Sequence, residues 1–279
     1  RLSVPVFHDD QYGTATVIFA GLTKALSLVG KRAEDVRVVV NGAGAAGSAA
    51  TSLLLAYGVG DVVVCDRHGI LVRGENQPCV HMAELAARTN RSSIRGDLAD
   101  AMRGADAFVG LSAAGLVSEE HIRSMARDPV VFACANPEPE IMPDAARAAG
   151  AAITGSGRFD FPNQCNNVLA FPGIMRGAVD VRAARVTETM CLAAAHAIAR
   201  QAEIYSLGPD NVLPSPLDPG LCPAVAEAVA QTAIKEEIAR LRPSPGTVAE
   251  HVRALNDATA RQQQFFGTMA SPQAMVVTQ

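Results

Sequence analysis

The stretch "VVVNGAGAAGSAA" (residues 38–50) decides the fold that this sequence predicts. A run of valines, which favours a strand buried on both faces, leads into Gly42, Gly44 and Gly47 and then into an Ala-rich apolar segment. In the spacing G-x-G-x-x-G the first glycine permits a tight turn, and the second lets a pyrophosphate approach the backbone. The third glycine lets the following helix pack closely on the strand. The pattern predicts a strand, a turn and a helix whose N-terminus faces phosphate.

A second valine-rich run, "DVVVCD", ends at Asp66, 24 residues after Gly42. An acid about 20 residues beyond such glycines binds the free ribose 2′-hydroxyl of NAD and repels the 2′-phosphate of NADP. Arg67 follows directly and offers a partner for that phosphate instead. We therefore predict a dinucleotide site that favours NAD and leaves NADP possible; a purely structural Gly/Ala turn is the alternative. The cofactor contacts predicted in this part of the chain are Gly42, Ala43, Gly44, Ala45, Ala46, Gly47, Asp66 and Arg67.

Strand patterns and helix patterns alternate through the first half of the chain. The predicted strands lie near residues 36–42, 61–66, 107–112, 130–136 and 151–155. The predicted helices between and before them lie near residues 14–30, 48–58, 81–90, 97–104, 117–126 and 143–149. This alternation predicts an α/β fold with a Rossmann-like, doubly wound parallel sheet.

The composition changes near residues 155–175, where Gly, Pro, Asn and Gln become frequent and no period is sustained. Later apolar periods predict helices near 187–205, 221–241 and 246–266. We therefore expect a dinucleotide-binding domain over residues 10–166 and a mainly helical C-terminal region over residues 167–279.

Composition excludes several classes of partner. The 279 residues are 49% hydrophobic and 4% aromatic, with a formal net charge of −4, so neither nucleic acid nor an anionic membrane surface is expected as a partner. No apolar run is long enough to cross a bilayer. The cysteines form no CxxC pair, which predicts reduced, buried thiols in a cytoplasmic protein. They are Cys65, Cys79, Cys134, Cys165, Cys191 and Cys222.

Three polar clusters stand in apolar surroundings. Asp9 and Asp10 are adjacent carboxylates that repel each other, so they lie either in a solvated loop or beside a positive charge. Asn136 ends a predicted central strand, and ligands of open α/β sheets bind beyond the carboxyl ends of strands. Asn166 and Asn167 close the polar run "NQCNN". For these amides a turn or a loop with local backbone bonds is the alternative.

The combination of motifs resembles malic enzymes, particularly the shorter bacterial type. The motifs run in order from about residue 4 to residue 219: "VPVFHDDQYGTA", "VVVNGAGAAG", "CDRHG", "FACANPEPEIMP", "GRFDFPNQCNNVLAFPGIMRGA" and "LPSPLDP". The resemblance implies oxidative decarboxylation of malate to pyruvate and carbon dioxide, with reduction of NAD or NADP and dependence on Mg²⁺ or Mn²⁺. It also implies a homo-oligomer, a dimer or larger.

The resemblance assigns roles to the polar clusters. It makes Asp10 a ligand of the divalent cation and places Asp9 in the charged network around a catalytic lysine. Asn136 and Asn167 would contact substrate and nicotinamide, and Asn166, next to them, is a further expected substrate contact. Carboxylate oxygens suit hard cations, which agrees with the residue types.

The family's general-base lysine and acid tyrosine lie upstream, at positions that precede residue 1. We therefore expect this sequence to be part of a longer chain, to bind metal weakly alone and to be nearly inactive alone. The helices beyond residue 187 would then pack against the absent segment and otherwise expose apolar surface.

Two positions depart from the family pattern and keep other functions open. Tyr12 stands where the bacterial pattern commonly has His, and Phe159 stands where a small hydroxyl residue is usual. The alternatives are a dehydrogenase acting on another 2-hydroxy acid and a non-catalytic dinucleotide-binding module.

Overall fold

The computed structural model describes residues 5–269, and its centre is one six-stranded sheet. The strands are β1 (Arg37–Asn41), β2 (Asp61–Asp66), β3 (Gly69–Ile70), β4 (Ala107–Gly110), β5 (Val130–Ala133) and β6 (Ile153–Ser156). Their order is β3-β2-β1-β4-β5-β6, and all pairs are parallel except the antiparallel pair of β2 and β3. The predicted α/β, doubly wound sheet is confirmed. The two-residue strand β3 was not predicted, because it is too short to show a period.

Helices cover both faces of this sheet. They are α1 (Thr14–Leu28), α2 (Ala45–Tyr57), α3 (Val80–Arg88), α4 (Leu98–Met102), α5 (Glu119–Arg123), α6 (Pro143–Ala148), α7 (Phe171–Asp180), α8 (Glu188–Ile204), α9 (Leu221–Lys235) and α10 (Thr247–Met269). None of the helices in residues 5–269 is long and apolar enough to cross a membrane.

The valine runs form strands because alternate side chains pack on opposite faces of the sheet. Val38 and Val40 belong to the hydrophobic cluster that also contains residues of α1, α2, α7, α8 and α9. Val39 belongs to a second cluster with residues of α4 and α6. All three side chains have 0% exposure, so the strand is buried on both faces, as its apolar run predicts.

Helix α7 lies in the segment whose composition predicted no regular structure. Gly173 and Gly177 weakened the helical signal, yet both serve the packing of α7 against α9. A Cβ atom added at Gly173 would lie 2.5 Å from Cβ of Val225, and one at Gly177 would lie 2.4 Å from the carbonyl oxygen of Ala226. These glycines allow close approach of two helices, which a local pattern does not distinguish from loop composition.

Helix α9 ends at Lys235, six residues earlier than the pattern predicted. The amide of Ile238 donates to the carbonyl of Ala233, and Glu237 adopts a φ of 58°. This residue in the left-handed conformation ends the helix. Because it is not a glycine, the sequence carried no signal of the helix end. The proposed domain boundary between residues 166 and 167 falls at a short 3₁₀ turn, Asn167–Leu169, and Leu169 is buried in the same cluster as Val38.

Candidate active site

The chain turns sharply at Gly42, where β1 ends beside β4 and the strand order reverses. Open α/β sheets bind ligands at such a switch point. Gly42 has a φ of 126°, and a Cβ atom there would lie 2.4 Å from the carbonyl oxygen of Leu111. Only glycine fits this position, because both the backbone angle and the neighbouring strand exclude a side chain.

The other two glycines of the motif have different surroundings. A Cβ atom at Gly47 would lie 1.7 Å from the carbonyl oxygen of Gly42, so α2 packs directly on the turn. A Cβ atom at Gly44 would meet nothing within 4 Å, so the backbone is open toward the cleft. Ala45, the first residue of α2, is exposed. A phosphate group therefore has free access to the N-terminus of α2.

An outer cavity of about 310 Å³ lies between this turn and the end of β2. Its walls include the predicted residues Gly42, Ala43, Gly44, Asp66 and Arg67. One oxygen of Asp66 accepts a 2.7 Å hydrogen bond from the amide of His68, which leaves the second oxygen available to a ribose hydroxyl. The Nε of Arg67 donates to Nε2 of His68 at 3.1 Å.

An inner cavity of about 230 Å³ lies beyond the carboxyl ends of β4 and β5. It brings together side chains that are far apart in sequence: Asp10, Asn136, Asn166 and Asn167. Ala46 lines its wall, and Ser112 lines both cavities, which therefore adjoin along one edge of the sheet. A ligand with two linked halves can occupy both.

The two adjacent acids have different surroundings. Asp10 is exposed and lines the inner cavity. Asp9 accepts a hydrogen bond at Oδ2 from Nδ2 of Asn167, while its Oδ1 is buried against Gly13 without a hydrogen-bond partner. Burial raises the pKa of Asp9, the neighbouring charge of Asp10 raises it further, and the bond from Asn167 opposes both effects. An unpaired buried carboxylate oxygen is rare in folded proteins.

The donor set fits a divalent cation through one protein ligand. Asp10 offers a hard carboxylate oxygen to the cavity, and Mg²⁺ is commonly held by one or two carboxylates together with substrate oxygens and water. Within residues 5–269 no group of three or more His, Cys, Asp and Glu side chains is placed to hold a metal. The described residues could therefore supply only part of a coordination shell.

No lysine of the described chain lines the inner cavity. Lys24 forms an ion pair with Glu203, and Lys31 forms a 2.9 Å ion pair with Asp106. Tyr12 is 39% exposed and packs against Phe7 at a ring-centroid distance of 6.0 Å. The described residues thus line this cavity with polar side chains, but they place no lysine there that could act as a base.

The amides of the "NQCNN" run have three separate roles. Asn166 caps the 3₁₀ turn by accepting a 3.0 Å bond from the amide of Val168, and Asn167 binds Asp9. Asn163, which the sequence did not distinguish from them, is only 5% exposed. Its side chain donates to the carbonyls of Thr154 and Pro209 at 2.9 and 2.7 Å and accepts from the amide of Val212 at 2.8 Å.

We expect Asn163→Ala to lower the free energy of unfolding by about 3 kcal/mol, because it leaves buried backbone groups without partners. Chemical denaturation of the purified protein measures this loss. Asn211→Ala is the control, since Asn211 donates to two backbone carbonyls near the surface. Equal small losses of unfolding free energy in the two variants would contradict a stabilising role for the buried hydrogen bonds of Asn163.

Two residues near the inner cavity were missed by reasoning from the sequence. Ser112 lies two residues beyond the end of β4, and the rule that places ligands beyond the carboxyl ends of strands would have indicated it. Glu140 has 0% exposure and binds Ser112 from behind the cavity wall. Its position in a Pro-rich run gave no local signal of burial.

Comparison with known proteins identifies the family of this chain. Residues 11–235 match the family model described as "Malic enzyme, NAD binding domain". The chain is 50% identical over 254 residues to a bifunctional malic/malolactic enzyme of Bacillus subtilis, covering 91% of this chain and 62% of that protein. An NAD-dependent malic enzyme of Geobacillus stearothermophilus is 46% identical over 240 residues, covering 86% of this chain and 50% of that protein.

The fold agrees with a solved structure. The crystal structure of the Entamoeba histolytica malic enzyme superposes with a TM-score of 0.90 at 39% identity, covering 96% of this chain and 58% of that chain. The chain thus spans roughly half to three-fifths of the length of the relatives it matches. The glycine turn, the sheet order and this similarity together place the chain in the malic enzyme family, with the family's NAD-binding domain over residues 11–235.

Proposed function

We infer that the complete natural protein oxidatively decarboxylates malate to pyruvate and carbon dioxide while reducing NAD. The observation that carries this proposal is the adjacency of the two cavities along one edge of the sheet. The outer cavity takes the adenosine half of the dinucleotide, and the inner cavity takes the nicotinamide and a small carboxylic acid. NAD-dependent and NADP-dependent malic enzymes among the relatives support the same assignment.

The outer cavity binds the cofactor by complementary groups. The open backbone at Gly44 and the N-terminus of α2 receive the pyrophosphate. The free oxygen of Asp66 accepts from the ribose 2′-hydroxyl, and its charge disfavours a 2′-phosphate. The Nε of Arg67 is already hydrogen-bonded to His68, so this guanidinium is only partly free to pair with a 2′-phosphate. NADP is therefore the second choice of cofactor.

The inner cavity orients the acid by amides and by one carboxylate. Asn136 and Asn167 donate to carboxylate or carboxamide oxygens without adding charge, and Asn166 lines the same cavity while its side chain caps the turn that carries Asn167. Asp10 would hold Mg²⁺ or Mn²⁺, and a bound cation withdraws electrons from the 2-hydroxy acid during oxidation and loss of carbon dioxide. Asp9 holds the side chain of Asn167 in place.

The assay for this proposal is malate-dependent formation of reduced nicotinamide by the complete protein with Mn²⁺, compared for NAD and NADP. We expect turnover with both and a higher kcat/KM with NAD. Absence of turnover in folded protein that binds NAD would favour a non-catalytic binding module. A stronger response to another 2-hydroxy acid than to malate would reassign the substrate, and Phe159, which is 86% exposed, would then be the first position to vary.

Two further parts of the proposal concern the protein as a whole. We propose a homo-oligomer of two or more copies and a cytoplasmic location. All six cysteines are free thiols, which supports a reducing compartment. Four of them are buried as predicted, whereas Cys79 is exposed and Cys222 is half-buried. Measurement of the molar mass in solution tests the first of these statements.

A further inference from the structure

Glu140 is a fully buried acid located behind the inner cavity, and the mechanism above does not use it. Its exposure is 0%, and it lies between the segments that follow β4 and β5. Oε1 accepts a 3.0 Å bond from the amide of Ser112, and Oε2 accepts a 3.1 Å bond from the amide of Ala135. One carboxylate therefore joins the two loops that line the cavity.

The surrounding bonds show that this link belongs to a larger network. The hydroxyl of Ser112 accepts a 2.8 Å bond from Nδ2 of Asn41, which is the last residue of β1. The carbonyl of Glu140 itself accepts from the amide of Val117 at 3.0 Å. The network thus spans the carboxyl ends of β1, β4 and β5, beside the point where the two cavities adjoin.

The burial of the Glu140 side chain constrains the neighbouring strand and disfavours folding. A Cβ atom at Gly110, the last residue of β4, would lie 2.3 Å from Cδ of Glu140, so any other residue there would displace the carboxylate. In the part of the chain that the structure describes, backbone N–H groups rather than a basic side chain satisfy the carboxylate. Burying a carboxylate in this way disfavours folding relative to an apolar residue of similar size. A purely structural contact between the loops needs no charge.

We propose that Glu140 is a positioning residue, whose carboxylate fixes Ser112 and Ala135 so that Asn136 and the nicotinamide half of the cofactor stay aligned with Asp10. The proposal rests on the proposed function, because it concerns the same cavity. Both oxygens of the carboxylate accept from N–H donors. The amide of glutamine offers one acceptor and one donor, so one loop would face a donor instead.

The test compares Glu140→Gln with Asp61→Asn in the complete protein. Asp61 is a matched control, since its buried carboxylate also accepts from backbone amides, those of Arg91 and Ser92 at 2.9 and 3.3 Å, but at the start of β2 and away from both cavities. We expect kcat to fall about 30-fold in Glu140→Gln, since small misplacement of reacting groups has effects of this size. Asp61→Asn should keep kcat within about twofold of wild type. Its melting temperature should fall by about as much as that of Glu140→Gln.

Measurements of ligand binding separate misalignment of the nicotinamide from general damage to the fold. ADP-ribose, which lacks nicotinamide, should bind Glu140→Gln with the affinity of the wild type, whereas NAD should bind more weakly. A kcat within about twofold of wild type in Glu140→Gln, or an equal loss in Asp61→Asn, overturns the proposal. If Glu140→Gln does not fold, Glu140→Asp decides, because it keeps the charge but is too short to reach both amides. An unchanged kcat in Glu140→Asp then overturns it. A wild type that binds NAD but does not oxidise malate would instead refute the proposed function.

Discussion

Asp10→Ala in the complete protein is expected to lower kcat/KM for malate by about a thousandfold, because a catalytic cation supplies several kcal/mol of transition-state stabilisation. Asp10 is exposed in the inner cavity, so its removal should leave the fold intact. Steady-state kinetics over a titration of Mn²⁺ measures the loss, and NAD binding should remain within about twofold of wild type, since the outer cavity is untouched.

Asp35→Ala is the control for this variant, because Asp35 is a surface carboxylate that pairs only with Arg32 among the described residues. It should have wild-type kinetics. An unchanged Mn²⁺ concentration for half-maximal activity in Asp10→Ala, with near-normal activity, would show that Asp10 is not a ligand of the cation, since the loss of a ligand weakens metal binding. If Asp10→Ala loses activity because it unfolds at the assay temperature, the acid pair is instead structural.

The sheet and the glycine turn were predictable because their signals are local. Runs such as "VVVNG" predict strand burial, and the spacing of Gly42, Gly44 and Gly47 is visible within six residues of sequence, although the contact that requires glycine at Gly42 comes from the distant Leu111. The candidate site residues Asn136 and Asp66 were predicted by the same logic, since each lies at or just beyond the carboxyl end of a predicted strand.

The remaining features depend on contacts between distant segments. Asn163, Asn166 and Asn167 are identical in type and nearly adjacent. Asn163 nevertheless binds the backbone of a distant loop, Asn166 caps a turn and Asn167 binds Asp9. Nothing local distinguishes them, because their partners lie up to 158 residues away. Glu140 was missed for the same reason: its partners Ser112 and Ala135 come together only in the folded sheet.

The second large effect is expected at Gly47. In Gly47→Ala the new methyl group would lie 1.7 Å from the carbonyl oxygen of Gly42, which is backbone and cannot rotate away. Helix α2 must then move off the strand, at a cost of about 3 kcal/mol or more. Chemical denaturation should show this loss, and calorimetry should show that NAD binding is lost with it.

Gly44→Ala is the matched variant, and it separates folding from binding. Its methyl group meets nothing within 4 Å in the free protein, and the φ of −80° suits alanine, so the free energy of unfolding should stay within about 0.5 kcal/mol of wild type. The same methyl group occupies the space into which the pyrophosphate must approach, so NAD affinity should fall about a hundredfold. Wild-type NAD affinity in Gly44→Ala would place the pyrophosphate away from the turn. The inner cavity was assigned to the nicotinamide because it adjoins the outer cavity, so that assignment, with the roles of Asp10 and Asn136, would then fail as well.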